Sequence, residues 1–565
     1  MTAVIVAILS MIVLGLAVAL AIDPRSGGPT LLGLGFLYGS GAVFAVMFVL
    51  TILHIRWGLV TVCVPLLMIL IVLARTLRPP ATGNRPPQFH WLDIPTALAM
   101  VGFTLFATAA PLWEWDFWAI WGLKAKVFLG HGGIDWKFLE NPWNAFVHPD
   151  YPLLVPLNFD FAALLNGGWS DRWLGLLSVA WAAALLLIIR GLAAEESSVV
   201  PAALVTLTVT GLAASRYPGL AEGPVIAFGV AGLLFTRRAL QMDDPAAWRH
   251  GAILLGLAAS TKNEGLALLV SATIALLMVR PRALVRLWPA FAMAVPWLVL
   301  RATHYLPTDI ASGSAIGRVL YRLRFAGEIL IYLAGHLYEP WFWGSILMGL
   351  LIVPSVARRR EAFVLLATVI QLVFYIGSYF ATPHDARWHV ATSWPRLTDQ
   401  IAIPITYVVF LTLAKTAAAM KDSPRAEARP VESLVSRGRP PADRLDRRLS
   451  RRRGQPARAI ERQAGTDRVA IPGHAQGWPH LRCAAGGVRI EDPSRRHALE
   501  SSGVFRVLRD HRIAGRHPGR AAHGRAEPER HDLEDIAVGD RARNGDAGVA
   551  AEVAGIAGRI VRHHQ

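Results

Sequence analysis

Apolar residues occur in long unbroken runs through the first four hundred positions, with polar residues confined to islands between them. Runs at roughly 2–22, 30–52, 58–74 and 92–112 approach or reach the length of a bilayer-crossing helix. Others follow near 172–192, 198–214, 223–236, 250–261, 265–279 and 287–301. One more ends at Arg358, and the last two are 361–381 and 401–415. They are continuous rather than alternating, which points to helices and not to barrel strands. The pattern predicts an all-α polytopic membrane protein, a helical bundle of about thirteen spans. The apolar block 153–168 is short and cut by Pro156, Asn158, Asp160 and Asn166, so it is expected as a re-entrant or interfacial segment.

Basic residues orient the runs. Arg75, Arg78 and Arg85, then Arg190, Arg237 with Arg238, Arg280 to Arg286, and Arg358 to Arg360 mark inner loops. By parity the N-terminus and the islands Trp113–Pro156, Ser215–Pro224, Thr261–Gly265, 302–341 and Ala381–Gln400 lie outside. The last of these is expected as an external loop. The first apolar run lacks a basic flank and is expected to be a retained span rather than a cleaved signal.

Composition changes one part of this picture. The chain has 565 residues, 53% of them hydrophobic, with a net charge of +17. Much of that charge lies after Lys421, where the sequence becomes Arg, Ala, Gly, Pro and His with no Lys and no apolar period. A disordered tail has this character; a frameshifted translation of GC-rich DNA is the preferred explanation. No function is assigned there, and no nucleic-acid partner is expected. The domain expectation is membrane helices at 1–91, a catalytic membrane domain at 92–420 and a low-structure tail at 421–565. Cys63 and Cys483, one in an apolar run and one in the tail, predict neither a disulfide nor a cysteine metal site.

The outer islands concentrate the chemistry. Trp113–Pro156 carries Glu114, Asp116, Lys124, Lys126, His148, Asp150 and Tyr151 among Trp113, Trp115, Trp118 and Trp121. Interfacial Trp and snorkelling Lys explain part of that content. Glu222, Lys262 with Glu264, Arg318 with Arg322 and Arg324, and Arg396 lie in the other islands. Each also has a plain structural explanation as a helix flank or a headgroup contact. Together, acids and bases on one membrane face suit a reaction on a phosphorylated lipid. A carboxylate can take a proton from an acceptor hydroxyl, and Lys or Arg can hold a phosphate leaving group. His148, His384 and His389 show no spacing of a metal motif.

An acid just after an outward span, WEWDFW, is followed by KAK, HPDYPLLVP, SRYPGLAEGP and GLAASTKNEG. This order resembles the GT-C superfamily of polyprenyl-phosphate-sugar-dependent glycosyltransferases. Its members include protein O-mannosyltransferases, lipid A aminoarabinose transferases and RgtA/B/C/D-like bacterial proteins. The resemblance covers roughly 92–400. It implies inverting transfer of a sugar to an envelope glycan, lipid or protein acceptor at the outer face of a bacterial inner membrane. It implies catalytic roles for Asp116 and Glu222, and donor-phosphate contacts for Lys262, Lys124, Arg396, Arg318 and Arg322. Glu114, His148, Asp150 and Tyr151 would form the acceptor loop. Glu114 and Asp116 are not the adjacent acidic pair of many members. The resemblance fixes no cofactor; a divalent cation, which some members bind between loops, is the one candidate it leaves open. A multi-pass transporter or flippase is the alternative expectation, and a structural membrane protein with partner-binding loops is a third.

Overall fold

The computed structural model describes residues 1–77, 88–214, 218–308, 315–335 and 361–422. These belong to one compact unit, residues 1–437. Among them every regular element is helical. The tail beyond residue 422, residues 215–217 and the run ending at Arg358 lie outside the described residues.

The apolar runs become helices α1 (Thr2–Ile22), α2 (Gly28–Ile52), α3 (Leu59–Thr76) and α4 (Asp93–Ala109). The first outer island contributes α5 (Gly122–His131) and α6 (Trp136–Glu140), and α7 (Leu154–Leu165) follows. The bundle continues through α8 (Gly175–Glu196), α9 (Val199–Ala213), α10 (Glu222–Met242), α11 (Pro245–Ala259), α12 (Asn263–Val279) and α13 (Trp288–Thr303). The described helices end with α14 (Ala315–Arg322), α15 (Ala326–Gly335), α16 (Ala362–Ala381) and α17 (Ala386–Asp422). Eight helices among the described residues are long and apolar enough to cross a membrane. They make the chain a helical membrane protein. The helices α4, α7, α9 and α12 are apolar but shorter.

Two features of packing position the later chemistry. The α1–α2 contact is a backbone approach, since a Cβ on Gly15 would fall 1.8 Å from the Gly35 carbonyl oxygen and one on Gly39 as close to that of Met11. Small residues of this kind let membrane helices meet where lipid gives no hydrophobic drive. The α7 segment is buried from Leu154 to Ala163, with Asn158 and Asp160 inaccessible. Asn158 Nδ2 donates to the Ser40 and Leu154 carbonyls. The N-terminal helices share one continuous core with α7 through α13.

The expected external loop Ala381–Gln400 is mostly helix, because α17 begins at Ala386 and runs unbroken to Asp422. Its Ser393, Thr398 and Gln400 are buried in the protein, while Arg387 and Thr392 stay exposed. Tyr379 Oη meets Ser393 Oγ at 2.9 Å and Tyr375 Oη donates to Gln400 Oε1 at 2.6 Å. Pro395 lies inside the helix. A proline removes a ladder bond and loosens the preceding turn; Arg396 Nε donates to the Thr392 carbonyl there at 3.0 Å.

At the other end of the bundle, Arg237 near the end of α10 is buried between Glu196 of α8 and Glu361 at the start of α16. Its guanidinium also lies over the Tyr407 ring of α17. Four helices are joined there by one charge.

Candidate active site

The first outer island folds by splitting its tryptophans. Trp113, Trp115 and Trp118 remain about two-thirds exposed, and Trp115 stacks on Trp118 at 5.3 Å. Their rings suit the headgroup zone. Phe117 and Trp121 turn inward. A π-helical turn over Phe117–Trp121 achieves this, and Phe117 packs edge-on against Phe159 of α7. That anchor fixes Asp116, the residue at the turn's entry.

Asp116 meets Arg396, which also reaches Glu222. Arg396 of α17 places Nη1 2.6 Å from Asp116 Oδ2 and 3.4 Å from Glu222 Oε1. Glu222 opens α10, where a helix N-terminus favours a carboxylate. Lys262 Nζ lies 2.9 Å from both Glu222 Oε1 and Glu264 Oε1. The chain Asp116–Arg396–Glu222–Lys262–Glu264 therefore alternates in sign across four elements. Burial opposes the Lys262 charge, but Glu222 and Glu264 outweigh it and hold the ammonium well above its ordinary range.

Lys262 is delivered by a tight turn between α11 and α12. Its closure needs Gly265, because a Cβ there would sit 1.9 Å from the Ala258 carbonyl oxygen. The Ser260 carbonyl accepts from Leu154 N, which ties the turn to α7. Asn263 Nδ2 donates to Asp150 Oδ2 at 2.8 Å, and Trp297 Nε1 donates to the Asp150 carbonyl. Asp150 thus pins the first outer island to α12 and α13.

These groups border a cavity of about 670 Å³. Asp116, Lys262 and Arg396 line one part of it, and Trp121, His148 and Tyr151 form an aromatic wall. The Tyr151 ring lies between the other two, 4.6 Å from His148 and 5.5 Å from Trp121, nearly parallel to both. Flat rings beside paired charges can hold an amphipathic or sugar-like body while ions engage a charged group.

Several expected residues lie elsewhere. Lys124, expected at the donor phosphate, is fully buried behind the aromatic wall, where Nζ donates to the His148 carbonyl at 2.6 Å. Burial brings its ammonium down to about 7 against the opposing charge of Asp150. Arg318 and Arg322 do not line the cavity; they donate to the carbonyls of Ala381, Tyr379 and His384, where α16 ends. Glu114 is outside the cavity lining; burial raises its carboxyl, the charges of Asp116 and Glu222 add, and Arg396 opposes. Asn263 and Trp388 were given no role in the sequence analysis, and Glu264 and His389 were placed in the outer islands without one, although all four line the cavity. Asn263 adjoins Lys262 and Glu264 lies one residue further on, which was the available signal.

The residues do not fit a divalent cation. Asp116, Glu222 and Glu264 are each engaged by Arg396 or Lys262, and no three His, Cys, Asp or Glu side chains group as ligands among the described residues. No protein-family model, curated protein or solved structure matches the chain.

Proposed function

We propose that this membrane protein is an inverting GT-C-like glycosyltransferase. It moves a sugar from a polyprenyl-phosphate donor to a cell-envelope acceptor on the outer face of a bacterial inner membrane. The observation that carries the reading is Arg396 shared between Asp116 and Glu222 at the edge of an aromatic-walled cavity.

In this proposal the acceptor hydroxyl oxygen bonds to the anomeric carbon as the carbon–phosphate oxygen bond breaks on the opposite face. The hydroxyl proton passes to Asp116 and the polyprenyl phosphate departs with the bonding pair. Charge developing on the phosphate draws on Lys262 and Arg396. As Arg396 turns towards the phosphate it loosens from Asp116, which leaves the carboxylate oxygen open to the acceptor hydroxyl. Glu222 holds both cations in register. The thirteen-span topology belongs to the same proposal: the eight long helices, α4, α9, α11 and α12, and one run outside the described residues.

The test is transfer from radiolabelled polyprenyl-phosphate sugars in proteoliposomes, comparing the wild type with Asp116→Asn at matched protein. Wild-type transfer that falls at least about a hundredfold in the variant supports the reading. Equal transfer removes Asp116 from the chemistry.

One observation favours a second reading, a proton-coupled transporter. Asp160 in α7 is fully buried and neither carboxylate oxygen has a hydrogen-bond partner. Ionisable groups inside a membrane bundle commonly serve proton or ion pathways.

A further inference from the structure

Two unfavourable features meet behind the aromatic wall. The first is the Lys124 ammonium, which is fully buried and, among the described residues, makes no ion pair. A buried charge without a close carboxylate is costly, and here burial brings the ammonium down to about 7 against the opposing charge of Asp150. The second is His148, whose φ of 49° lies in the left-handed region that a residue with a side chain rarely adopts. Four residues other than glycine have positive φ among the described residues, and of these His148 alone lines this cavity. Strain of this kind gathers where a ligand is held and the surrounding structure enforces the conformation.

Both features converge on one atom. The His148 carbonyl oxygen accepts from Lys124 Nζ at 2.6 Å and from Tyr151 N at 3.0 Å. His148 N in turn donates to the Ala145 carbonyl at 3.1 Å. The chain reverses there, between the turn Pro142–Val147 and Tyr151, and the His148 and Tyr151 rings come to lie nearly parallel. Lys124 Nζ also stands 5.4 Å from the Trp121 ring centroid and 5.5 Å from that of Tyr151, within the range of cation–π attraction. One side chain of α5 therefore reaches all three members of the wall. It does not line the cavity itself, so its effect on a ligand passes through them.

The wall adjoins the cation of the site, because Lys262 Nζ is 5.8 Å from the Tyr151 ring. A sugar joined to a phosphate at Lys262 would lie against Tyr151 and His148. An apolar side chain would fill the place of Lys124 at less cost, and the His148 carbonyl would keep its bond from Tyr151 N. Only the tie between α5 and the turn would be lost. We propose that Lys124 is a positioning residue that locks the left-handed His148 turn and holds the Trp121–Tyr151–His148 wall in the form that takes the donor sugar. The identity of that ligand rests on the glycosyltransferase reading, whereas the hold on the wall rests on geometry alone.

The test compares the wild type with Lys124→Met, as full chains in proteoliposomes at pH 7, with radiolabelled polyprenyl-phosphate sugars as donors. The KM for the donor should rise about tenfold while kcat stays within about twofold. The melting temperature in detergent should not fall, because the variant removes a buried charge that has no ion-pair partner. A melting temperature that falls together with transfer, or a variant that does not fold, gives Lys124 a merely structural role and overturns the proposal. Loss of kcat at unchanged KM also overturns it. A second measurement needs no transfer. In hydrogen exchange of the full chain in detergent, the Tyr151 amide should exchange about tenfold faster in Lys124→Met, while the Gly265 amide, bonded to the Lys262 carbonyl, stays unchanged. Equal exchange at Tyr151 overturns the proposal. A wild type inactive with every donor refutes the glycosyltransferase reading, and the exchange at Tyr151 then decides by itself whether Lys124 holds the wall.

Discussion

Arg396 and Asp116 stand 280 positions apart in the chain and meet at 2.6 Å. The same guanidinium reaches Glu222, so one side chain of α17 ties the first outer island to the start of α10. Arg396→Met should lower sugar transfer by about 10²–10³, the usual cost of removing a group aimed at developing charge. Arg396→Lys should recover only part of this, because an ammonium lacks the planar donor set that bonds the Thr392 carbonyl through Nε while Nη1 reaches the carboxylates. Steady-state kcat and KM in proteoliposomes check both variants. Unchanged kcat in Arg396→Met would remove Arg396 from the transition state.

Lys262 and Glu222 are a buried pair, with side chains 8% and 3% exposed. Lys262→Met leaves two carboxylates without their shared cation and should destabilise the protein by about 3–5 kcal/mol. Lys262→Met with Glu222→Gln should be more stable than the single variant, since the double change removes a buried charge along with its partner. Thermal unfolding in detergent at fixed pH reads the order. A double variant less stable than Lys262→Met would show that the pair is not coupled.

Lys124 gives a pH dependence whose sign is opposite to that of an ordinary ion pair. Burial lowers its folded value to about 7 from an ordinary value of 10.5. Between those values the unfolded chain binds more protons, so this group's contribution to stability rises with pH across the window. Below about 7 both states are protonated and the full cost of the buried ammonium is present. Lys124→Met should flatten the rise between pH 7 and 10. Melting temperatures recorded over that range for both proteins decide it, and identical slopes would assign the dependence elsewhere.

Asp160 separates the two functional readings. A buried carboxyl with no partner is far less costly when neutral, and Asn has nearly the same shape. Under the glycosyltransferase reading Asp160→Asn should change stability by less than about 1 kcal/mol and leave transfer intact. Under the transporter reading it should abolish gradient-driven uptake. Paired assays of transfer and of pH-gradient-driven flux in the same proteoliposomes distinguish them.

Most helix positions were legible because continuous apolar runs of this length have few structural solutions in lipid. The runs 2–22, 361–381 and 265–279 correspond closely to α1, α16 and α12. The stretch 381–400 was not legible. Its polar residues and Pro395 have the local signature of a loop, whereas its Ser393, Arg396 and Gln400 bond to Tyr379, Asp116 and Tyr375 from other elements. Local composition does not reveal whether a polar side chain faces water or a distant partner.

The sequence alone determined that the chain is helical and membrane-embedded, and it placed acids and bases in a few islands. Only the tertiary structure decided which of them meet. It put Asp116, Glu222, Lys262 and Arg396 in one network and sent Lys124 behind the aromatic wall. It left Arg318 and Arg322 on backbone carbonyls. Apolar periodicity is a property of neighbouring residues, whereas an ion pair between positions 116 and 396 depends on how whole helices pack, and their glycines and buried rings set that packing.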